Sequence, residues 1–173
     1  INTLAAGSVS SANAGASLSP ASGTLTVAGT PSLVFLKTVA VYSDPVNGTS
    51  SPKNIPGAEV DYTLMVTNTG SGAVDSNTLT IIDPIPANTE LFVGDLGGGL
   101  PFVFVNSSSG LACVAGCMDV STDGGTNWIP VPGGPYAPAV THLRFRPSGS
   151  MSGDASAGPP SPSFSLQLRV RVK

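Results

Sequence analysis

The stretch Phe164-Ser165-Leu166-Gln167-Leu168-Arg169-Val170-Arg171-Val172-Lys173 decides the fold class. Phe164, Leu166, Leu168, Val170 and Val172 fall on one side, while Ser165, Gln167, Arg169, Arg171 and Lys173 fall on the other. Successive side chains of a strand alternate between its faces, so this is a strand with one buried and one wet face. Glu59 to Thr69 repeats the scheme, with Val60, Tyr62, Leu64 and Val66 inward. Leu143 and Phe145 do so again, with His142, Arg144 and Arg146 outward.

Working outward, further strands are expected over Thr78 to Ile82, Leu91 to Val93, Phe102 to Val105, Met118 to Ser121 and Asn127 to Val131. Leu33 to Val41 is apolar on both faces at first, which suggests a strand covered twice or one that switches sheets. Turns are read at Asn68-Thr69-Gly70-Ser71-Gly72, Asp83-Pro84-Ile85-Pro86 and Asp123-Gly124-Gly125. Asn68-Thr69-Gly70 is read as a left-handed turn closing a strand, and the prolines after Asp83 as a strand terminator. No stretch longer than a turn has helical periodicity, so the chain is all-β. Its 173 residues suit one domain with an appendage.

Charged residues make up 10% of the chain, against roughly 25% in an ordinary soluble protein. Gly and Pro number 21 and 16, and the apolar fraction is 40%. Regular apolar alternation argues against disorder. A neutral, hydroxyl-rich surface suits a protein that packs against copies of itself, where few charges need desolvating. The formal charge is -3, and five of the seven cations are Arg144, Arg146, Arg169, Arg171 and Lys173, so no basic stripe points to nucleic acid. No apolar run approaches the length of a membrane span. The sequence opens at Ile1, and a removed signal peptide, hence secretion to the cell surface, is the expectation.

Cys113 and Cys117 are the two cysteines. In an exported protein a local disulfide is the first reading, worth roughly 2 kcal/mol for so short a loop; two free thiols are the alternative. A metal site lacks the further Cys or His that would complete a ligand set.

The ordered series Leu36-Lys37-Thr38-Val39, Pro56 to Leu64, Val66-Thr67-Asn68-Thr69-Gly70, Ile82-Asp83-Pro84-Ile85-Pro86 and Glu90-Leu91-Phe92-Val93-Gly94 resembles the conserved-repeat domain of prokaryotic surface proteins. This is the "domain of unknown function eleven" family. Val120 to Trp128, Val140 to Phe145 and the final strand are similar to its longer members, so the resemblance spans roughly residues 33 to 173. It implies an immunoglobulin-like antiparallel β-sandwich and assigns no catalytic residues. Residues 1 to 30 lie outside it.

Candidate chemistry is sparse. The single histidine, His142, is expected on a wet strand face, and no Gly-x-Ser-x-Gly elbow accompanies it. Most carboxylates sit at turns: Asp44, Asp75, Asp83, Asp95, Asp123 and Asp154. Nothing suggests the converging pair a glycosidase needs. No catalytic, cofactor or metal site is assigned. Ser43 to Gly48 and Asp119 to Asp123 offer oxygens for calcium without matching a known loop; turn formation is the simpler reading. Asn47-Gly48-Thr49 and Asn106-Ser107-Ser108 have the form of glycosylation acceptors, and Trp128 and Tyr136 are candidates for a sugar-binding face or for half-buried packing.

Residues 1 to 30 differ in texture from the rest. Ala, Ser, Gly and Thr dominate, with sparse apolar points at Ile1, Leu4, Val9, Leu18, Leu25 and Val27. Such an arm cannot form a core, yet Thr24-Leu25-Thr26-Val27 alternates like a strand. Fully extended, roughly 22 residues reach about 70 Å at about 3.3 Å each. The arm therefore folds back on its own sandwich or lies on another subunit. The first reading is a self-assembling, pilus-like extracellular filament subunit whose arm adds a strand to the next copy. The second is a spacer or adhesive module of a cell-surface protein, with surface glycans or host proteins as partners.

Overall fold

The computed structural model describes residues 2–4, 21–23, 29–156 and 158–173, and contains strands only, with no helix among them. In chain order the strands are β1 (Asn2–Leu4), β2 (Ala21–Gly23), β3 (Leu33–Ser43), β4 (Glu59–Asn68), β5 (Ile81–Pro84) and β6 (Thr89–Phe92). They continue with β7 (Val103–Ser107), β8 (Met118–Ser121), β9 (Ile129–Pro130), β10 (Tyr136–Ala137), β11 (His142–Phe145) and β12 (Ser163–Val172). One sheet runs β10-β6-β12-β4-β3, with β7 also on β12; a second runs β5-β11-β8-β9. β1 and β2 pair with each other as a separate two-stranded sheet. Every ladder between these strands is antiparallel, and the architecture is a β-sandwich.

β12 is the centre of the first sheet because its alternation is strict. Phe164, Leu166, Leu168 and Val170 are buried against Leu64, Val66 and Leu91, which stand on β4 and β6. The second sheet contributes Ile81, Met118, Val120, Leu143 and Phe145 to the same core. Each such side chain, fully buried, contributes roughly 1.5–3 kcal/mol. Phe102 closes the layer with its ring edge-on to Phe145, centroids 5.2 Å apart.

The strongly alternating strands lie where the pattern puts them, and Met118 to Ser121 has the expected bounds. Four weaker ones shift. In place of Leu91 to Val93 the strand is Thr89–Phe92, and Val93 donates its amide to the Pro135 carbonyl. Thr78 turns back to bond the Asp75 carbonyl, so the ladder starts only at Ile81. The amide nitrogens of Asn127, backbone and side chain, are both held by Asp123, which leaves Ile129–Pro130 as the paired part of that segment. β7 begins at Val103, because Phe102 enters the core instead of a ladder, and it runs two residues beyond Val105.

Two readings of the sequence need correction. Among the described residues Leu33 to Ser43 is neither covered twice nor shared between sheets; it is a single edge strand, paired there to β4 alone. Asn68-Thr69-Gly70 is not a left-handed turn, since none of its residues has a positive φ. Asn68 is instead a buried hub. Its Oδ1 accepts from the amides of Ser32 and Gly70, and its Nδ2 donates to the carbonyls of Gly72 and Ser152. Glycine is needed at 70 for space, because a Cβ there would lie 2.3 Å from the Thr30 carbonyl oxygen.

The disulfide is formed. Cys113 and Cys117, with Cα atoms 5.3 Å apart, are both buried and close a turn in which the Cys117 amide donates to the Val114 carbonyl. The Arg146 amide donates to the Cys117 carbonyl, tying this turn to the end of β11.

Candidate assembly site

The side of the sandwich bounded by β3 and β5 is open. Both strands are terminal in their sheets, so each has one edge without a ladder partner among the described residues. An unprotected edge strand is a template for another strand. Natural edges are usually short, charged or bulged away, but β3 is eleven residues long and carries a single charge, Lys37. Its register on β4 puts Leu33, Phe35, Lys37, Val39 and Val41 on the core-side face, and Val34, Leu36, Thr38 and Ala40 on the other.

Neither face is covered among the described residues. Phe35 is 52% exposed and Val39 62% on the core side, and Leu36 is 53% exposed on the outer side. Opposite β3 the second sheet ends in β5, which is only four residues long.

Two apolar hollows follow this edge. One, of about 280 Å³, is lined by Leu33, Phe35, Val66, Leu79, Ile81 and Ile82. The other, of about 370 Å³, is lined by residues that include Val39, Val41, Val60, Tyr62, Pro86 and Val172. Between them Lys37 spans the seam, its Nζ 2.7 Å from both carboxylate oxygens of Asp83 on β5 and 4.6 Å from the Tyr62 ring centroid. Asp83 is buried, and a buried carboxylate needs such a partner. The sequence placed Lys37 and Asp83 in separate motifs of one series without linking them. A lone lysine within an otherwise uncharged apolar strand was the available signal.

The root of the N-terminal arm is fixed beside this edge. Thr69 donates its amide to the Ser32 carbonyl and Gly72 donates to the Thr30 carbonyl, so Gly29 to Ser32 prolong the line of β3 instead of turning back over it. Glycines make this crossing possible: a Cβ on Gly29 would meet Ser71 Oγ at 2.4 Å, and one on Gly72 would meet the Gly29 carbonyl oxygen at 2.1 Å. Of the apolar arm positions, Leu4 ends β1, while Ile1, Val9, Leu18, Leu25 and Val27 lie outside the described residues.

The remaining candidates are engaged in holding the fold. Asp44 accepts from the amides of Val46, Asn47 and Lys53 and from the Asn47 side chain. These donors, the Asn47 amide foremost, bring its pKa down to about 2. Asp123, held by Asn127 and the Ser121 hydroxyl, is likewise lowered to about 2. Both carboxylates act as turn anchors whose lone pairs face N–H and O–H donors. The side-chain amides of both glycosylation triplets are also occupied, Asn47 on Asp44 and Asn106 on the Leu111 carbonyl.

The two aromatic candidates have a face covered by arginine. The Arg144 guanidinium sits 4.6 Å from the Trp128 ring centroid and Arg171 sits 3.7 Å from that of Tyr136. Burial and a hydrogen bond to Glu59 push the Tyr136 phenol up to about 12. His142 is partly buried, with Nδ1 3.2 Å from the Thr141 hydroxyl. No three His, Cys, Asp or Glu converge as a metal site among the described residues.

No family model matches the chain, and no curated protein or solved structure does.

Proposed function

We propose that the chain is an immunoglobulin-like structural subunit of an extracellular, pilus-like filament, in which the N-terminal arm of one copy adds a strand to the sandwich of the next. The observation that carries this reading is β3: a long, apolar edge strand exposed on both faces among the described residues, beside two apolar hollows. In strand addition the main-chain ladder supplies affinity, and alternate side chains filling pockets supply register. A contact between an arm at one place and an acceptor at another is heterologous, and it propagates as a fibre when it does not close. Gly29 to Ser32 prolong the line of β3 and bond on its β4 side, which favours delivery of the arm to a neighbour over a return to its own domain.

The low charge, the resemblance to the conserved-repeat domain of prokaryotic surface proteins, and the disulfide Cys113–Cys117 fit an exported structural protein without catalytic duty. A second reading, a spacer or adhesive module, is favoured by the pairing of β1 with β2, which meets part of the arm's hydrogen bonding internally. Negative-stain electron microscopy of the purified chain, with and without residues 1–28, separates the two. Fibres that require the arm support the filament; particles that stay single under both conditions leave the surface module.

A further inference from the structure

We infer that the acceptor is the seam between β3 and β5, and that the strand it takes is the segment from Ser19 to Val27 of another copy, centred with Gly23 over the Lys37–Asp83 ion pair. This inference rests on the filament reading and assigns its register. The core-side positions of β3 form a five-point pattern: Leu33 and Phe35 at one hollow, Lys37 at the bridge, Val39 and Val41 at the other hollow. A strand laid along the free edge of β3 presents every second side chain to these points.

Its ends can be apolar or small, but its middle residue faces a salt bridge that already fills the seam. An extended Ser19 to Val27 offers Ser19, Ala21, Gly23, Leu25 and Val27 on one face. Leu25 and Val27 are an adjacent pair suited to one hollow, Ala21 and Ser19 enter the other, and Gly23 brings no side chain against Lys37 and Asp83. Because Gly23 is the midpoint, the match holds whether the incoming strand runs antiparallel or parallel to β3.

Two further observations favour this segment. Ala21–Gly23 is extended as β2 and pairs along one edge with β1, so its second edge has no ladder partner among the described residues. The segment also ends two residues before Gly29, where the arm root is fixed, so the donated strand stays close to its own sandwich. Elsewhere in the arm, Ile1 to Val9 offers a single apolar side chain for each hollow, and Ala12 to Pro20 has Leu18 as its one large apolar side chain.

The test is interchain disulfide trapping in the full chain. Val39→Cys is mixed in turn with Ala21→Cys, Ser22→Cys, Leu25→Cys and Ala5→Cys, and heterodimers are read by mass spectrometry. Directly opposed residues of paired strands stand about 5 Å apart at Cβ, within reach of a disulfide after slight relaxation. Bonding to Ala21→Cys (antiparallel) or Leu25→Cys (parallel), with none to Ser22→Cys, is expected. Fibres that bond only to Ser22→Cys or Ala5→Cys, or to no partner, overturn the register and leave the filament standing; absence of both fibres and bonding removes both. As a second measure, Gly23→Val should raise the concentration needed for assembly about 10-fold or more, the order expected when a side chain is forced into filled space, whereas Thr24→Val should not. Equal assembly by Gly23→Val and the unaltered chain contradicts the assignment.

Discussion

Lys37 and Asp83 join the two sheets across the open side of the sandwich, the lysine Nζ lying 2.7 Å from each carboxylate oxygen. They are 46 residues apart in sequence and stand on edge strands of different sheets. The pair divides one continuous apolar seam into two hollows.

Removing one partner should cost more than removing both. Lys37→Met leaves the buried Asp83 carboxylate unpaired and is expected to lower stability by about 2 kcal/mol, below the range for fully buried pairs because Lys37 is partly exposed. The double variant Lys37→Met with Asp83→Leu should recover most of that loss. Urea midpoints of the three proteins decide it, and a double variant weaker than Lys37→Met would speak against a desolvated pair.

Asn68 should be the least replaceable polar residue. Asn68→Ala leaves the amides of Ser32 and Gly70 and the carbonyls of Gly72 and Ser152 without this partner, at a cost of about 3 kcal/mol or more. Asn68→Asp, which aims a carboxylate at two carbonyl oxygens, should be worse. Equilibrium denaturation checks the order.

Acid should unfold the protein through its turn anchors. Asp44 and Asp123 have folded pKa values near 2, below the ordinary 3.8, and that of Asp154 is also lowered, by the hydroxyls of Ser161 and Ser156. A lowered folded pKa gives stability that is present above the unfolded value and lost as pH falls through the folded one. The Tm should therefore drop between about pH 4 and pH 2. Asp44→Asn and Asp123→Asn should each flatten this acid limb, as calorimetry over that range will show.

Reduction should weaken the fold modestly. A disulfide closing so short a loop is worth about 2 kcal/mol on the chain-entropy view, so dithiothreitol should lower the urea midpoint without abolishing folding. Loss of all structure on reduction would contradict this.

What was legible in the sequence follows from what alternation encodes. β12, β4 and β11 each have one dry and one wet face, and period two reports that directly. β3 reads differently because apolar residues on both faces state only that cover is wanted, without stating what provides it; among the described residues nothing does. β9 and β10 are two residues each, too short to hold a period. Asn68 looks like a turn residue because its four partners come from Ser32, Gly70, Gly72 and Ser152, two of them far along the chain. The Lys37–Asp83 bridge was hidden for the same reason: pairing across sheets is set by the fold, and no local spacing marks it.

The claim that β3 holds a strand from another copy is tested most directly by sedimentation velocity of the full chain over a range of concentrations. The unaltered protein and Val114→Asp, a change at an exposed residue on the disulfide turn, should both form large, concentration-dependent species. Phe35→Asp combined with Val39→Asp should sediment as a folded monomer. A folded double variant that assembles like the unaltered chain, or an unaltered chain that is monomeric throughout, would contradict it.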